Sequence, residues 1–166
     1  MSYRSVPPAL ILCVALAPAS FIQASTVEKL SFDRLIGEAD LIVKGRVEEL
    51  TTRQAPDGRS ATTLVAVSVA SQFKGAKVSS VTIEQPGGSM GEVTQGVPGL
   101  PEFSSGEDVI VFLKRQGNRA YSIVGGRQGK FNVKMQPGSN QEMTEDFAHR
   151  TETLESFLDR LVKMTK

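Results

Sequence analysis

Gly87-Gly88-Ser89-Met90-Gly91 has the Gly-x-Ser-x-Gly spacing of a nucleophile elbow. In that motif a sharp turn lifts the serine hydroxyl into the open between a strand and a helix. Asp108 or Asp146, with His149, would complete a triad in the order Ser, Asp, His. A strand is expected before Ser89, but Glu92-Val93-Thr94-Gln95-Gly96-Val97-Pro98-Gly99 does not read as a helix. A flexible Gly/Ser loop is the plainer reading, and a weak hydrolase through Ser89 ranks third among the functional expectations. Gly125 to Lys130 imitates a phosphate loop and fails it. Val124 stands where the first glycine belongs, and Phe131 where Ser or Thr would meet magnesium. A hairpin or bulge is expected there instead.

Metal chemistry finds little support. His149 is the single histidine and Cys13 the single cysteine, too few for the usual zinc sets. Glu142, Glu145 and Asp146 are too loosely spaced for a calcium loop. The pairs Glu48-Glu49 and Glu107-Asp108 are neighbours in expected strands, so each points its two carboxylates to opposite faces. No catalytic residue, metal ligand or cofactor is expected.

The N-terminus reads as an export signal. Arg4 precedes an apolar core from Ala9 to Ala17, and small residues offer cleavage after Ala19 or, preferably, Ala24. Residues 1–24 are expected to be a signal peptide, which makes the protein periplasmic or secreted and its mature chain free of cysteine. The apolar run is shorter than the roughly 20 residues that span a bilayer, so no membrane insertion is expected. Lys and Arg total 19 against 18 Asp and Glu. Loss of Arg4 with the leader balances them, which leaves no basic footprint for nucleic acid. Tryptophan is absent, so stacking platforms for single strands are also scarce.

The remaining residues, 25–166, suit one domain. Ser31 to Ala39 reads as a short helix, capped by Ser31 and with Phe32, Leu35 and Ile36 on one face. The period then becomes two. Leu41, Val43, Gly45 and Val47 alternate with Ile42, Lys44, Arg46 and Glu48, giving a strand with one buried face. Gly45 predicts a bend or close backbone approach, and the slip of phase at Leu50 predicts a bulge. Further strands are expected over Thr62–Phe73, Val78–Gln85, Asp108–Arg115 (buried on both faces), Ala120–Val124 and Lys130–Lys134. Met135 to Asn140 reads as a polar link. Phe147, Thr151, Leu154, Leu158 and Leu161 recur at helical spacing and predict an amphipathic helix over 151–164, covering one end of a barrel. The fold class is mainly β: a small antiparallel OB-like barrel with a short N-terminal helix and a C-terminal helix, with a small β-sandwich as runner-up.

Ala39 to Val133 resembles a group of uncharacterised exported bacterial β-barrel domains. The likeness rests on Ala39-Asp40-Leu41-Ile42-Val43-Lys44-Gly45-Arg46-Val47, Phe73-Lys74-Gly75, Pro86-Gly87-Gly88, Gly106-Glu107-Asp108-Val109-Ile110-Val111-Phe112-Leu113 and Gly125-Gly126-Arg127-Gln128-Gly129-Lys130-Phe131. It implies no activity. More distantly, the order of a bent strand ending in Gly-x-Val, a strand closing on Lys-Gly and a Gly-Glu strand resembles the netrin-like module. That module is the OB-type barrel of tissue inhibitors of metalloproteinases. Those inhibitors reach the protease zinc with a disulfide-held N-terminal cysteine, which the mature chain lacks.

Pro86 to Gly106 is a long Gly/Pro-rich connection, and such loops are usually functional or disordered. Its Met90, Val97, Leu100 and Phe103 either brace the loop or anchor a partner. With Arg127 they form the expected partner-binding set, and the hairpin from Arg53 to Arg59 extends the surface. The leading expectation is an exported, non-enzymatic binding module whose partner is another exported protein. A netrin-like protease inhibitor that works without the cysteine is the alternative.

Overall fold

A computed structural model of the protein describes residues 29–54, 60–90, 93–117 and 120–165, with backbone alone for 90 and 93–95. The export signal and residues 55–59 of the first hairpin lie outside the described residues. The chain is mainly β, with a mixed eight-stranded sheet and one helix at each end of the described chain.

The elements in chain order are α1 (Phe32–Glu38), β1 (Leu41–Gln54), β2 (Ala61–Lys74), β3 (Ser80–Pro86), β4 (Gly88–Met90), β5 (Val93–Gln95), β6 (Asp108–Gln116) and β7 (Ala120–Ile123). A 3-10 turn (Gly126–Gly129), β8 (Lys130–Met135), β9 (Glu142–Glu145), β10 (Thr151–Thr153) and α2 (Leu154–Thr165) follow. Ser31 caps α1, its hydroxyl accepting from the Arg34 N–H. Lys74 Nζ reaches the carbonyl of Ile36 at the other end of that helix.

β1 pairs with β2 on one edge and with β6 on the other. β3 joins β2 antiparallel and meets β7 in parallel, and β7 returns to β6. The neighbours β1–β2–β3–β7–β6 therefore lead back to β1. The sheet forks at β6. Its C-terminal residues 113–116 pair with β7, while residues 108–111 pair on the same edge with β8, which carries β9 and β10 outward.

Two cores lie on opposite faces of this arrangement. Leu41, Val43 and Val47 of β1 join Val109, Val111 and Leu113 of β6, with Val65, Val67, Val81 and Ile83, in one. Ile42, Ile110 and Phe112 point the other way, into a second core roofed by α1 and α2. The expected single buried face of the first strand is thus corrected: Leu41, Ile42 and Val43 are all buried, because helices cover what would otherwise be the wet face. In the second core Phe32, Phe112, Phe131 and Phe157 pack at tilted or edge-to-face angles, with centroids 4.9–6.4 Å apart, the geometry that aromatic quadrupoles favour.

The C-terminal segment differs from expectation at the start of its helix. The C-terminal helix starts at Leu154, and residues 151–153 are the strand β10. Phe147 does not belong to the helix; the buried aromatic of α2 is Phe157. The helix packs in the core outside the β1–β2–β3–β7–β6 circuit.

Gly45 marks the close approach. A Cβ there would lie 2.2 Å from the backbone oxygen of Ser68 on β2, and the β1–β2 register shifts beside it and again between Val47 and Glu49. Gly45→Ala should cost about 1–3 kcal/mol through overpacking. Gly37→Ala, in α1 with nothing near the added methyl, should be neutral or gain roughly 0.5–1 kcal/mol. Urea unfolding of the two variants beside the parent checks both signs.

Candidate functional site

The candidate site sits at the fork of the sheet. After β7, Gly125 and Gly126 take φ +65° and +58°, a left-handed conformation that glycine adopts freely. A Cβ on Gly126 would lie 2.3 Å from the carbonyl oxygen of Gly99, so the long loop rests directly on the 3-10 turn. The Arg127 N–H donates to that same oxygen at 2.9 Å. The turn replaces the hairpin or bulge expected there. It leaves the Arg127 side chain exposed, its guanidinium 5.3 Å from the ring centroid of Phe147.

Phe147 stands on the turn between β9 and β10. Asp146 organises that turn. Its Oδ1 accepts the Ala148 and Arg150 N–H groups at 2.8 and 3.0 Å, and its Oδ2 accepts Arg150 Nε at 2.7 Å. Burial pushes the Asp146 carboxyl up. The Arg150 side-chain hydrogen bond and the two backbone N–H groups outweigh that and hold it below the usual range. Glu145 is also held low, first by the hydrogen bond from Lys134 and then by His149, whose Nδ1 lies 2.7 Å from Glu145 Oε1. His149 has φ +59°, an uncommon conformation outside glycine that histidine visits more often than most.

Two clefts flank Phe147 and share it with Asp146. One, of about 320 Å³, includes Leu100, Arg127, Lys134 and His149 in its wall. The other, of about 370 Å³, includes Phe32, Gln128, Arg150 and Arg160. Lys130, Lys134, Arg150 and Arg160 pair with Glu107, Glu145, Asp146 and Glu152 respectively. Arg127 has no carboxylate partner among the described residues.

The expected partner-binding residues separate. Leu100 and Arg127 meet in one cleft. Phe103 packs on the core that contains Val65 and Ile83, beneath Lys130 Nζ, 4.5 Å from its ring centroid. That ammonium also donates to the Glu102 carbonyl and to Glu107 Oε1, at 2.5 and 2.7 Å. Phe103 therefore braces the loop. Val97 is half-buried, its carbonyl accepting from the Leu100 N–H at 3.3 Å. Met90 lies in β4, and its side chain is outside the described residues. Phe147 and His149 belong to the surface without having been read as such. The signal was Asp146, a turn-former two residues before Ala148 and four before Arg150.

Ser89 pairs with Thr94 across β4 and β5, so a strand stands where a nucleophile elbow needs a helix. Asp146 bonds Arg150, Asp108 pairs with Arg46 at 3.2 Å, and His149 turns to Glu145. Among the described residues no group of three or more His, Cys, Asp or Glu converges as a metal site. No family model, curated protein or solved structure matches this chain.

The lowered carboxyls give a signed pH dependence. A carboxyl whose folded value lies below its unfolded one stabilises the fold above the ordinary range, and that gain is lost as pH falls toward the folded value. Stability should be flat from neutral to about pH 5 and fall below about pH 4. Asp146→Asn should flatten that fall and speed hydrogen exchange at the Ala148 and Arg150 amides. Equal acid slopes in parent and variant would remove Asp146 as a source.

Proposed function

We propose that this chain is an exported, non-enzymatic interaction module on an OB-type barrel, binding a protein partner through the surface around Leu100, Arg127, Phe147 and His149. The single observation that carries the reading is Arg127. It is exposed, fixed at its backbone to the long loop, laid over an exposed aromatic ring and left without a carboxylate, while Lys130 and Lys134 of the same cleft and the nearby Arg150 are paired. Arginine beside an aromatic is the composition of interface anchors. The barrel reading is supported by the circuit of pairings through β1, β2, β3, β7 and β6 and by the close approach at Gly45.

Protease inhibition is the second reading. The bent strand with Gly45-Arg46-Val47 and the Lys74-Gly75 end of β2 keep the order of the netrin-like resemblance, and Lys29 and Leu30, at the N-terminal entry to the fold, line the larger cleft.

Replacing the whole loop would remove Phe103 from its core, so point variants are the cleaner test. The purified protein should retain a partner from the exported fraction of its host, and Arg127→Ala with Phe147→Ala should lose it, by about tenfold or more in affinity, with unfolding unchanged. A partner held equally by the double variant would discard this surface. A partner with protease activity, inhibited at micromolar protein, would favour the second reading.

A further inference from the structure

Resting on that reading, we infer that the smaller cleft takes the C-terminus of a partner chain, an apolar last residue with its free α-carboxylate. Three observations carry this. Arg127 lies over the Phe147 ring. A guanidinium lying over an aromatic ring keeps its N–H edges available, and those edges match a carboxylate bidentately. The cleft supplies Leu100 and Pro101 beside the charge, and Phe147 is 37% exposed. The other cationic groups of the site are engaged: Lys134 and His149 share Glu145, Arg150 holds Asp146, and Lys130 holds Glu107. Among the described residues of the cleft only Arg127 and Glu102 are without an ion pair, so Arg127 is the cation open to an anion.

An α-carboxylate fits this spacing better than an acidic side chain. It is bonded to the same Cα that bears the apolar side chain, so charge and apolar surface arrive together. An internal Asp or Glu extends its charge away from its neighbours' apolar groups. The cleft volume of about 320 Å³ suits one or two residues rather than a long segment. Glu102, exposed on the same cleft and without a cationic partner among the described residues, opposes the ligand. It provides a control of opposite sign.

The test is an NMR titration of the purified protein with N-acetyl-leucine, N-acetyl-leucine amide, acetate and N-acetyl-glutamic acid α-amide. N-acetyl-leucine should shift the amides of Leu100, Arg127 and Phe147 with millimolar affinity. The amide, acetate and the side-chain acid should each bind on the order of tenfold more weakly. Arg127→Gln should cost a similar factor. Glu102→Gln should tighten binding about twofold, because it removes a like charge. No response to N-acetyl-leucine, an equal response to its amide, or a response unchanged in Arg127→Gln would overturn the inference. Equal binding of acetate would remove its apolar half, and equal binding of the glutamyl probe would remove the chain terminus. If a captured partner is lost by the Arg127/Phe147 double variant but still binds after removal of its own last residue, the module stands and this inference falls.

Discussion

The pairing of β1 with β6 places side by side two stretches, Leu41–Val43 and Val109–Leu113, that have protein on both faces. From Val109 to Leu113 every side chain of β6 is buried, alternating between two cores that share no residue. Such a pair leaves no wet face to absorb a slip of register, since a one-residue shift would exchange the contents of both cores. The remaining elements are attached through it. β2 and β3 enclose one core, the two helices roof the other, and β7 and β8 share the far edge of β6 in tandem. Gly45 matters for the same reason, because it lets β1 follow β2 closely enough to keep its pairing with β6.

The fork in the sheet explains how a Gly/Pro-rich connection is held in place. Between β7 and β8 the chain must leave one branch and enter the other, and the 3-10 turn makes that passage. The long loop lies against it, held by the Arg127 N–H from one side and by Lys130 through Phe103, the Glu102 carbonyl and Glu107 from the other. Both cations belong to the same short stretch of chain. Lys130 is buried and fully engaged, whereas Arg127 faces solvent with an aromatic neighbour alone.

What could be read from the sequence was what short-range physics decides. The Ser31 cap, the period-two strands, the doubly buried strand at 109–113, the bulge after Val47 and the constraint at Gly45 each leave a local mark. The short strands β4, β5, β9 and β10 leave none, because three or four residues carry too little alternation and their neighbours are polar or glycine-rich. Phe147 shares the seven-residue spacing of Leu154 and Leu161 by coincidence. The candidate site was half legible for the same reason. Leu100 and Arg127 could be named, but their convergence with Phe147 and His149 depends on three segments that meet through the fork, which no window of sequence contains.

The ring of Phe32 on α1 sits 5.3 Å from that of Phe157 on α2; Phe32 also meets Phe112 and Phe131, and Phe157 meets Phe131. The first and last elements of the described fold are therefore fastened to each other on the same outer face. Mechanically this is a clasp rather than a chain of shear bonds. Tension transmitted through the two helices would load four aromatic contacts before it loaded the hydrogen bonds of β1 and β6. The strand pair would then stay whole under forces that strip its roof.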